Sequence, residues 1–231
     1  MKKITVLTLF PDYFKAFETQ GKASSAFGNS VELEVLNLRE FSGNKYQSVD
    51  DYPYGGGHGM VIRADVLKRA IDSLDKEISD LRIIFPCPRG IQWDREQAHK
   101  MASSLRDEDT QDIVLICGRY EGIDERFIEK YVTEMYSLGD FILTGGELAV
   151  MAIIDSVVRL IPGTLGNSDS TKGESFEKGL LEHGHYTRPA IFEGLEVPTV
   201  LLSGHHKKIE QYRAMESKSL TEKYRPDLLE E

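Results

Sequence analysis

The segment that decides the fold is Ser137-Leu138-Gly139-Asp140-Phe141-Ile142-Leu143-Thr144-Gly145-Gly146-Glu147-Leu148. It predicts a strand that stops at a glycine-rich turn and passes at once into a helix. Thr144 and Glu147 have the spacing of a capping box. That box would place Gly145 and Gly146 in the first helical turn, where good helix formers would be more stable than glycine. A well-capped helix alone could explain the pattern, but the two glycines favour a ligand held close to exposed backbone N–H groups.

Two further apolar runs end in turns of a similar kind. Residues 112–118 (DIVLICG) lead into Arg119-Tyr120-Glu121-Gly122, and residues 81–87 (LRIIFPC) end in Pro86-Cys87-Pro88-Arg89-Gly90. Short apolar runs are typical of buried parallel strands, and Asp124 is placed to cap the next helix. Three strands that end in such turns put three loops at one edge of a parallel sheet, where α/β proteins bind ligands. Neither G-x-G-x-x-G nor G-x-x-x-x-G-K-[ST] occurs, which argues against a Rossmann dinucleotide site and a P-loop.

Strands and helices alternate through about residue 161, which predicts an α/β fold with a parallel sheet. Strands are predicted over 3–10 and 31–38, and the second alternates in polarity, which places it nearer the sheet edge. Amphipathic helices are predicted over 63–78, 94–105 and 124–132.

Residues 147–161 predict a helix with almost no polar face. A helix that is apolar nearly all round is buried on several sides. In a chain of 231 residues, this predicts that the helix lies at a subunit interface of a homodimer.

The composition changes after Ile161 and becomes rich in Gly, Ser, Thr, Asn and Asp. This change predicts a flexible linker over residues 166–176. The linker separates an α/β domain of residues 1–165 from a smaller, mostly helical domain of residues 177–231. A long helix is predicted in the second domain from about His205 to Tyr224.

Composition also limits the classes of function. The net charge of −10 is unfavourable for nucleic-acid binding, because phosphate contacts supply much of that affinity, so any RNA footprint must be local. No run approaches the ~20 apolar residues of a membrane span. The Met-Lys-Lys start passes directly into a strand-like segment, which argues against a signal peptide. Cys87 and Cys117 both end predicted strands and are expected to be reduced, as is typical of a cytoplasmic protein.

Seven segments carry a resemblance to one family. They are LTLFPDYF (7–14), DDYPYGGGHGM (50–60), CGRYEGIDER (117–126), SLGDFILTGGEL (137–148), DSVVRLIPG (155–163), GHYTRP (184–189) and SGHH (203–206). In this order and at this spacing, the chain resembles the bacterial tRNA (guanine-N1)-methyltransferases, the TrmD family of the SPOUT class, over nearly its whole length. The resemblance implies a parallel sheet with a deep trefoil knot in residues 1–165, and a tRNA-binding helical domain in residues 177–231.

The resemblance implies methyl transfer from S-adenosylmethionine to N1 of the guanosine 3′ of the anticodon in tRNA. It also implies a homodimer whose active sites lie between subunits, and Mg²⁺ as an accessory ion for which the sequence assigns no site. One alternative is another SPOUT methyltransferase with a ribosomal RNA or ribose target. Another is a dimeric RNA-binding module without catalysis, but the intact glycine loops argue against it.

Methylation of N1 requires removal of its proton and stabilisation of the charge pushed onto O6, tasks suited to a carboxylate and an arginine. The family pattern assigns them to Glu174 and Arg159. The family usually has Asp in place of Glu174, and Asp169 in the same linker is a rival base. The ordinary alternatives to these catalytic roles are that the linker carboxylates are solvated and that Arg159 forms a surface ion pair with Asp155.

The resemblance also implies which residues bind the two substrates. Those expected at the methyl donor are Pro86, Cys87, Pro88, Gly118, Tyr120, Glu121, Ser137, Leu138, Gly139, Asp140, Phe141, Ile142, Leu143, Gly145 and Gly146. Those expected at RNA are Asp50, Gly55, Gly56, Arg188, His206, Lys207, Lys208 and Arg213. No set of metal ligands is predicted, although the His183 and His185 pair and the His205 and His206 pair raise that possibility. The family usually has Pro at the position of His58, and Leu is common at that of Pro86.

Overall fold

The structure is a computed structural model that describes residues 1–107, 109–164 and 173–229. The chain forms two compact units, Met1–Ser168 and Asp169–Glu231, which we call unit 1 and unit 2. The domain boundaries predicted from the sequence stay predictions, because most of the predicted linker lies outside the described residues. Among the described residues, no helix is both long enough and apolar enough to cross a membrane.

Unit 1 is built on a parallel sheet. Its strands are β1 (Lys2–Thr8), β2 (Val31–Asn37), β3 (Asp50–Asp51), β4 (Val61–Ile62), β5 (Leu81–Gln92), β6 (Asp112–Ile116) and β7 (Glu134–Ser137). Five of them form one sheet in the order β2-β1-β6-β5-β7, with parallel pairing throughout. This confirms the parallel α/β fold, and β2 lies at the edge as predicted. The short strands β3 and β4 form a separate antiparallel ribbon.

Helices cover both faces of this sheet. In the described part of unit 1 they are α1 (Asp12–Thr19), α2 (Ala64–Asp72), α3 (Arg95–Ser104), α4 (Glu125–Tyr131) and α5 (Glu147–Val158). Successive side chains of a strand point to opposite faces. In β6, Ile113 and Leu115 belong to the core shared with α1, α3 and α5. Val114 and Ile116 belong to the core shared with α2 and α4. Burial on both faces explains why the central strands are continuous apolar runs.

The predicted limits of several elements need correction. β7 ends at Ser137, so the strand predicted within the 137–148 segment is wrong, and residues 138–146 lie outside any helix or strand. Helix α2 ends at Asp72 rather than at residue 78. The chain departs from helical geometry soon afterwards, because Asp75 adopts a φ of +51°, outside the right-handed helical region.

β5 is longer than the apolar run that predicts it. It continues through the turn expected at residues 86–90 and pairs again with β7 after an irregularity between Pro86 and Ile91. Glycine is needed at position 90, because a Cβ atom there would lie 2.3 Å from the backbone nitrogen of Tyr136. This close approach of two strands keeps the Pro86 region at the carboxyl edge of the sheet.

Helix α5 confirms the helix predicted over residues 147–161, but unit 1 itself buries most of its apolar surface. The buried side chains are those of Ala149, Val150, Ile153, Ile154, Val157 and Val158. The exposed face carries Ala152, Asp155 and Leu148, which is 51% exposed. Most of the apolar character is therefore explained by the fold of one chain. The prediction of a subunit interface now depends on the face around Leu148.

Unit 2 contains a short hairpin and two α-helices in its described part. These elements are β8 (Ile191–Phe192), β9 (Leu195–Glu196), α6 (Thr199–Leu202) and α7 (His206–Tyr224). Helix α7 confirms the long helix predicted from His205 to Tyr224. The hairpin is not predicted by the sequence, because two residues per strand are too few to show an alternating pattern. The trefoil knot stays a prediction, since strand order alone does not trace how a chain threads.

Candidate active site

A cavity of about 330 Å³ opens at the carboxyl edge of the sheet, beside β5, β6 and β7. It is lined by Phe85, Pro86, Cys87, Pro88, Gly118, Arg119, Tyr120, Glu121, Gly122, Tyr136, Ser137, Leu138, Gly139, Phe141, Ile142, Leu143, Thr144, Gly145, Gly146 and Ala149. Every residue expected at the methyl donor lies in this lining except Asp140. The three loops predicted from separate parts of the sequence therefore meet at one cavity.

Six lining residues are missed by the residue-level prediction. They are Phe85, Arg119, Gly122, Tyr136, Thr144 and Ala149. Arg119 and Gly122 belong to the same GRYEG segment as three expected residues, so their positions in the sequence could have identified them as lining residues. Phe85 lies on a strand that the sequence identifies only as apolar, and Tyr136 lies on β7, which the sequence does not predict. Nothing in the pattern shows that either residue faces a cavity.

The two glycines before α5 have different neighbours. A Cβ atom at Gly146 would lie 2.7 Å from the backbone nitrogen of Gly118, whose carbonyl accepts a hydrogen bond from the Gly146 N–H at 2.8 Å. A Cβ atom at Gly145 would instead lie 2.2 Å from the side chain of Arg119. Gly146 thus brings two loop backbones together, and Gly145 makes room for an arginine.

Glu147 does not form the predicted capping box. Gly146 occupies the N-cap position of α5, and no side chain caps the helix. Glu147 is 1% exposed, and its Oε1 accepts a hydrogen bond from Thr8 Oγ1 at 2.9 Å. The capping-box prediction is wrong because two partners inside unit 1 compete for this carboxylate: the hydroxyl of Thr8 and the guanidinium of Arg119.

Arg119 is the ionic partner of Glu147. Its Nη2 lies 2.9 Å from Glu147 Oε2, and its Nε lies 3.4 Å from Oε1. The Nη2 contact is ionic and poorly aligned for hydrogen bonding, since Oε2 has no hydrogen-bond donor among the described residues. Arg119 Nη1 also donates to the carbonyl of Thr144 at 2.9 Å, and its guanidinium lies 4.5 Å from the centre of the Phe10 ring. A single side chain therefore connects the segments that follow β1, β6 and β7.

Tyr136 forms part of the cavity wall and is held by a polar cluster. Its hydroxyl donates to Glu134, which is also paired with Arg82. Its ring meets that of Trp93 edge to face, with ring centres 4.8 Å apart. Burial, followed by the Glu134 hydrogen bond, raises the pKa of Tyr136 to about 12. Tyr136 is therefore a neutral wall of the cavity at physiological pH.

The loop after β6 also connects the cavity to the segment expected to contact RNA. The Glu121 N–H donates to the Met60 carbonyl at 3.0 Å, and the Ile62 N–H donates to the Gly122 carbonyl at 3.0 Å. Residues 52–60 join β3 to β4 and include Tyr54, which is 98% exposed. The resemblance-implied RNA contacts Gly55 and Gly56 lie in this exposed loop, and Asp50 lies on β3.

The residues expected to perform the chemistry lie in different units. Arg159 is the C-cap residue of α5 in unit 1 and is half-buried. Glu174 belongs to unit 2 and is also half-buried, and its carbonyl accepts a hydrogen bond from the Glu177 N–H at 3.2 Å. The rival base Asp169 lies outside the described residues.

Unit 2 has a groove of its own, with a volume of about 440 Å³. It is lined by His183, Gly184, His185, Tyr186, Thr187, Arg188, Ala190, Val197, Leu201, Leu202, Ile209 and Arg213. Two of the predicted RNA contacts, Arg188 and Arg213, are therefore brought together here. The other three predicted RNA contacts of unit 2, His206, Lys207 and Lys208, form the exposed first turn of α7.

The histidines of this groove contact their own neighbours. The rings of His183 and His185 have centres 4.7 Å apart, and His185 Nε2 lies 3.2 Å from the Glu182 carboxylate. Over the described parts of the chain, no group of three or more His, Cys, Asp or Glu side chains is arranged to hold a metal ion. Among these described residues, Mg²⁺ thus has no assigned site.

The fold and the cavity define a ligand-binding α/β protein whose site is made by three loops at the carboxyl edge of a parallel sheet. The family described as tRNA (Guanine-1)-methyltransferase TrmD matches residues 1–231. A tRNA (guanine-N(1)-)-methyltransferase of Anoxybacillus flavithermus is 48% identical over 99% of this chain and 91% of its own length. One from Desulfatibacillum aliphaticivorans is 47% identical over 97% and 84%.

A third relative of the same name, from Bacillus cereus strain AH820, is 48% identical over 99% of this chain and 92% of its own length. The chain belongs to the tRNA (guanine-N1)-methyltransferase family. It is therefore a methyltransferase, and membership of this family implies the use of S-adenosylmethionine.

Proposed function

We propose that this enzyme transfers the methyl group of S-adenosylmethionine to N1 of the guanosine 3′ of the anticodon in tRNA, in the cytoplasm. The observation that carries the proposal is the single cavity at the sheet edge. Residues expected at the donor come from three separate stretches of sequence, and all but Asp140 line it. The names of the bacterial relatives supply the base and the class of RNA.

The cavity suits an adenosine-containing donor. Pro86, Pro88 and Leu143 give it apolar walls against which an adenine ring can pack. Within the described part of the chain, the backbone N–H groups of Ile142 and Leu143 have no hydrogen-bond acceptor. They are free to donate to ring nitrogens of a bound base.

Polar groups at the other side of the cavity suit the rest of the donor. Tyr120 holds a φ of +59°, an uncommon conformation for a residue with a side chain. The next residue, Glu121, lines the cavity, and its carboxylate lies beside Gly59 in the loop between β3 and β4. A carboxylate there can bind the ribose hydroxyls or the ammonium group of the donor's methionine portion.

The donor supplies an electrophilic methyl group on a positively charged sulfur. Guanine N1 takes the methyl carbon, and the electron pair of the broken carbon–sulfur bond stays on sulfur. Glu174 accepts the N1 proton, and Arg159 stabilises the negative charge that develops on O6. The longer side chain of Glu174, compared with the Asp usual in the family, can reach the same proton if its loop backs off by about one methylene group.

The tRNA contacts are proposed to be local, as the net charge of −10 requires. Neither Arg188 nor Arg213 forms an ion pair with any described residue, so both guanidinium groups of the unit 2 groove are available for phosphates. Lys207 and Lys208 add two exposed cations at the start of α7. The affinity for tRNA should therefore fall as salt concentration rises.

We also propose that the enzyme is a homodimer with active sites between subunits. Two observations on unit 1 support this. Leu148 on the exposed face of α5 is 51% exposed, and Ile142 of the cavity wall is 83% exposed. Large apolar side chains at such positions are typical of surfaces that a partner covers.

The test is incubation of the protein with unmodified tRNA and a donor labelled at its methyl group, followed by mapping of the modified nucleoside. Label at N1 of the guanosine 3′ of the anticodon is expected. Label on a ribose hydroxyl, or on ribosomal RNA alone, would support the other SPOUT methyltransferases instead. Donor binding without methylation of any RNA would support the non-catalytic RNA-binding module.

A further inference from the structure

Arg119 contacts the loop after β7, the start of α5 and the Phe10 ring that follows β1. It follows β6, and its Nη1 donates to the Thr144 carbonyl in the loop after β7 at 2.9 Å. Its other nitrogens contact the Glu147 carboxylate at the start of α5. The Thr8 hydroxyl at the end of β1 shares that carboxylate.

The pairing of Arg119 with Glu147 is needed because the carboxylate is buried. Glu147 is 1% exposed, and an isolated charge at such a depth strongly destabilises the fold. The planar guanidinium has five N–H donors in a fixed fork. It can neutralise Glu147 with one side of the fork while the other side binds the Thr144 carbonyl.

The bond to Thr144 acts on the loop that lines the cavity. Thr144, Gly145 and Gly146 all line it, and the Arg119 side chain lies against Gly145, where a Cβ atom would be 2.2 Å away. The next residue, Gly146, is hydrogen-bonded to the Gly118 carbonyl. The loops after β6 and β7 are thus joined once through Arg119 and once through backbone.

We propose that Arg119 is a positioning residue that holds the Thr144–Gly146 backbone against Gly118 and so keeps the donor cavity preformed. The role rests on the proposed function, because it concerns the same donor site. Arg119 takes no part in the transfer of the methyl group or the proton. Its effect is to reduce the ordering that the donor must impose on the loop when it binds.

The first variant is Arg119→Met, which keeps a long apolar stem but removes all N–H donors. It leaves the Glu147 charge buried without an ionic partner, so thermal stability falls as well. The second variant, Arg119→Met with Glu147→Gln, removes that charge and keeps an acceptor for Thr8. Its thermal stability should recover toward that of the unmodified protein. The donor affinity of the double variant can therefore be measured even if Arg119→Met alone does not fold.

Donor affinity should not recover in the double variant, because the bond to Thr144 is still absent. Calorimetry with S-adenosylmethionine should show a Kd raised about tenfold to hundredfold, with a similar rise in the donor KM. The single-turnover rate at saturating donor and tRNA should stay close to that of the unmodified enzyme. Arg126→Met is the matched control, since Arg126 lies in the first turn of α4, its largely exposed side chain pairs with Asp124, and it does not line the cavity.

Two results would overturn the inference. Unmodified donor affinity in the folded double variant would show that the cavity forms without Arg119. A single-turnover rate that falls by as much as the donor affinity would show a role in the chemical step instead. If the unmodified protein did not bind S-adenosylmethionine, the proposed function would be overturned as well. If it binds S-adenosylmethionine and the double variant binds it equally well, only the role of Arg119 is overturned.

Discussion

The backbones of Gly146 and Gly118 are in close contact at the cavity, and a methyl group added at Gly146 would disturb this contact. In Gly146→Ala, the new Cβ atom would lie 2.7 Å from the Gly118 nitrogen and 2.8 Å from the Cys117 Cα atom. Non-bonded carbon atoms are most stable at about 3.5–4.0 Å. Both neighbours are backbone atoms, so the strain can be relieved only if the two loops separate by about 1 Å.

Overpacking of one methyl group typically costs about 1–3 kcal/mol. If donor binding requires the loops to return to their original separation, the donor Kd rises by about fivefold to 150-fold. The Gly146 N–H bond to the Gly118 carbonyl, 2.8 Å long in the unmodified protein, would lengthen as the loops part. The assay is calorimetric titration with S-adenosylmethionine, accompanied by thermal unfolding of the same samples.

Gly28→Ala is the matched control for lost stability. Gly28 has a φ of +76° with no atom within 4 Å of its Cβ position, and it does not line the cavity. A side chain in that conformation costs about 1–2 kcal/mol, so stability should fall while donor affinity stays unchanged. A folded Gly146→Ala protein with unmodified donor affinity would refute the reasoning, because it would show that the donor does not need these loops in contact.

Three other predictions test the base, the assembly and the cavity wall. Glu174→Gln should lower the single-turnover rate by about 10²–10⁴-fold with little change in donor affinity, whereas Asp169→Asn should have a small effect. The reverse result would make Asp169 the base. Leu148→Arg should convert the proposed homodimer to a folded monomer in sedimentation velocity, and a dimer of unchanged stability would exclude this face as the interface. Maleimide labelling at neutral pH should modify Cys87, which lines the cavity, at a rate that S-adenosylmethionine lowers. Cys117 should stay unlabelled in the folded protein, because burial raises the pKa of its thiol well above the usual value.

The glycine and proline turns identified in the sequence correspond closely to the cavity that the structure forms. A turn after a buried strand is specified locally, by residues that tolerate close backbone approach or fix φ. The carboxyl ends of neighbouring parallel strands meet at one edge. Local patterns were therefore enough to bring residues near Pro86, Gly118 and Gly145 together, even though strand order was unknown.

The same local patterns failed for Glu147. A capping box depends only on residues within one turn of helix, and nothing in that spacing reports what lies beside the helix in the fold. In the structure, Thr8 and Arg119 lie next to this carboxylate, although both are far from it in the sequence. A buried carboxylate gains more from these partners than from an exposed backbone N–H group.

The sequence by itself determined the class of fold, the order of most strands and helices along the chain, and the three segments that meet at the cavity. These are consequences of periodicity and of backbone preferences that act over a few residues. Only the tertiary structure decided that α5 is buried mainly by its own unit, that Gly146 serves backbone contact with Gly118, and that Arg119 joins two loops. Each of these depends on which distant residues become neighbours when the sheet forms, and local sequence patterns carry little information about such contacts.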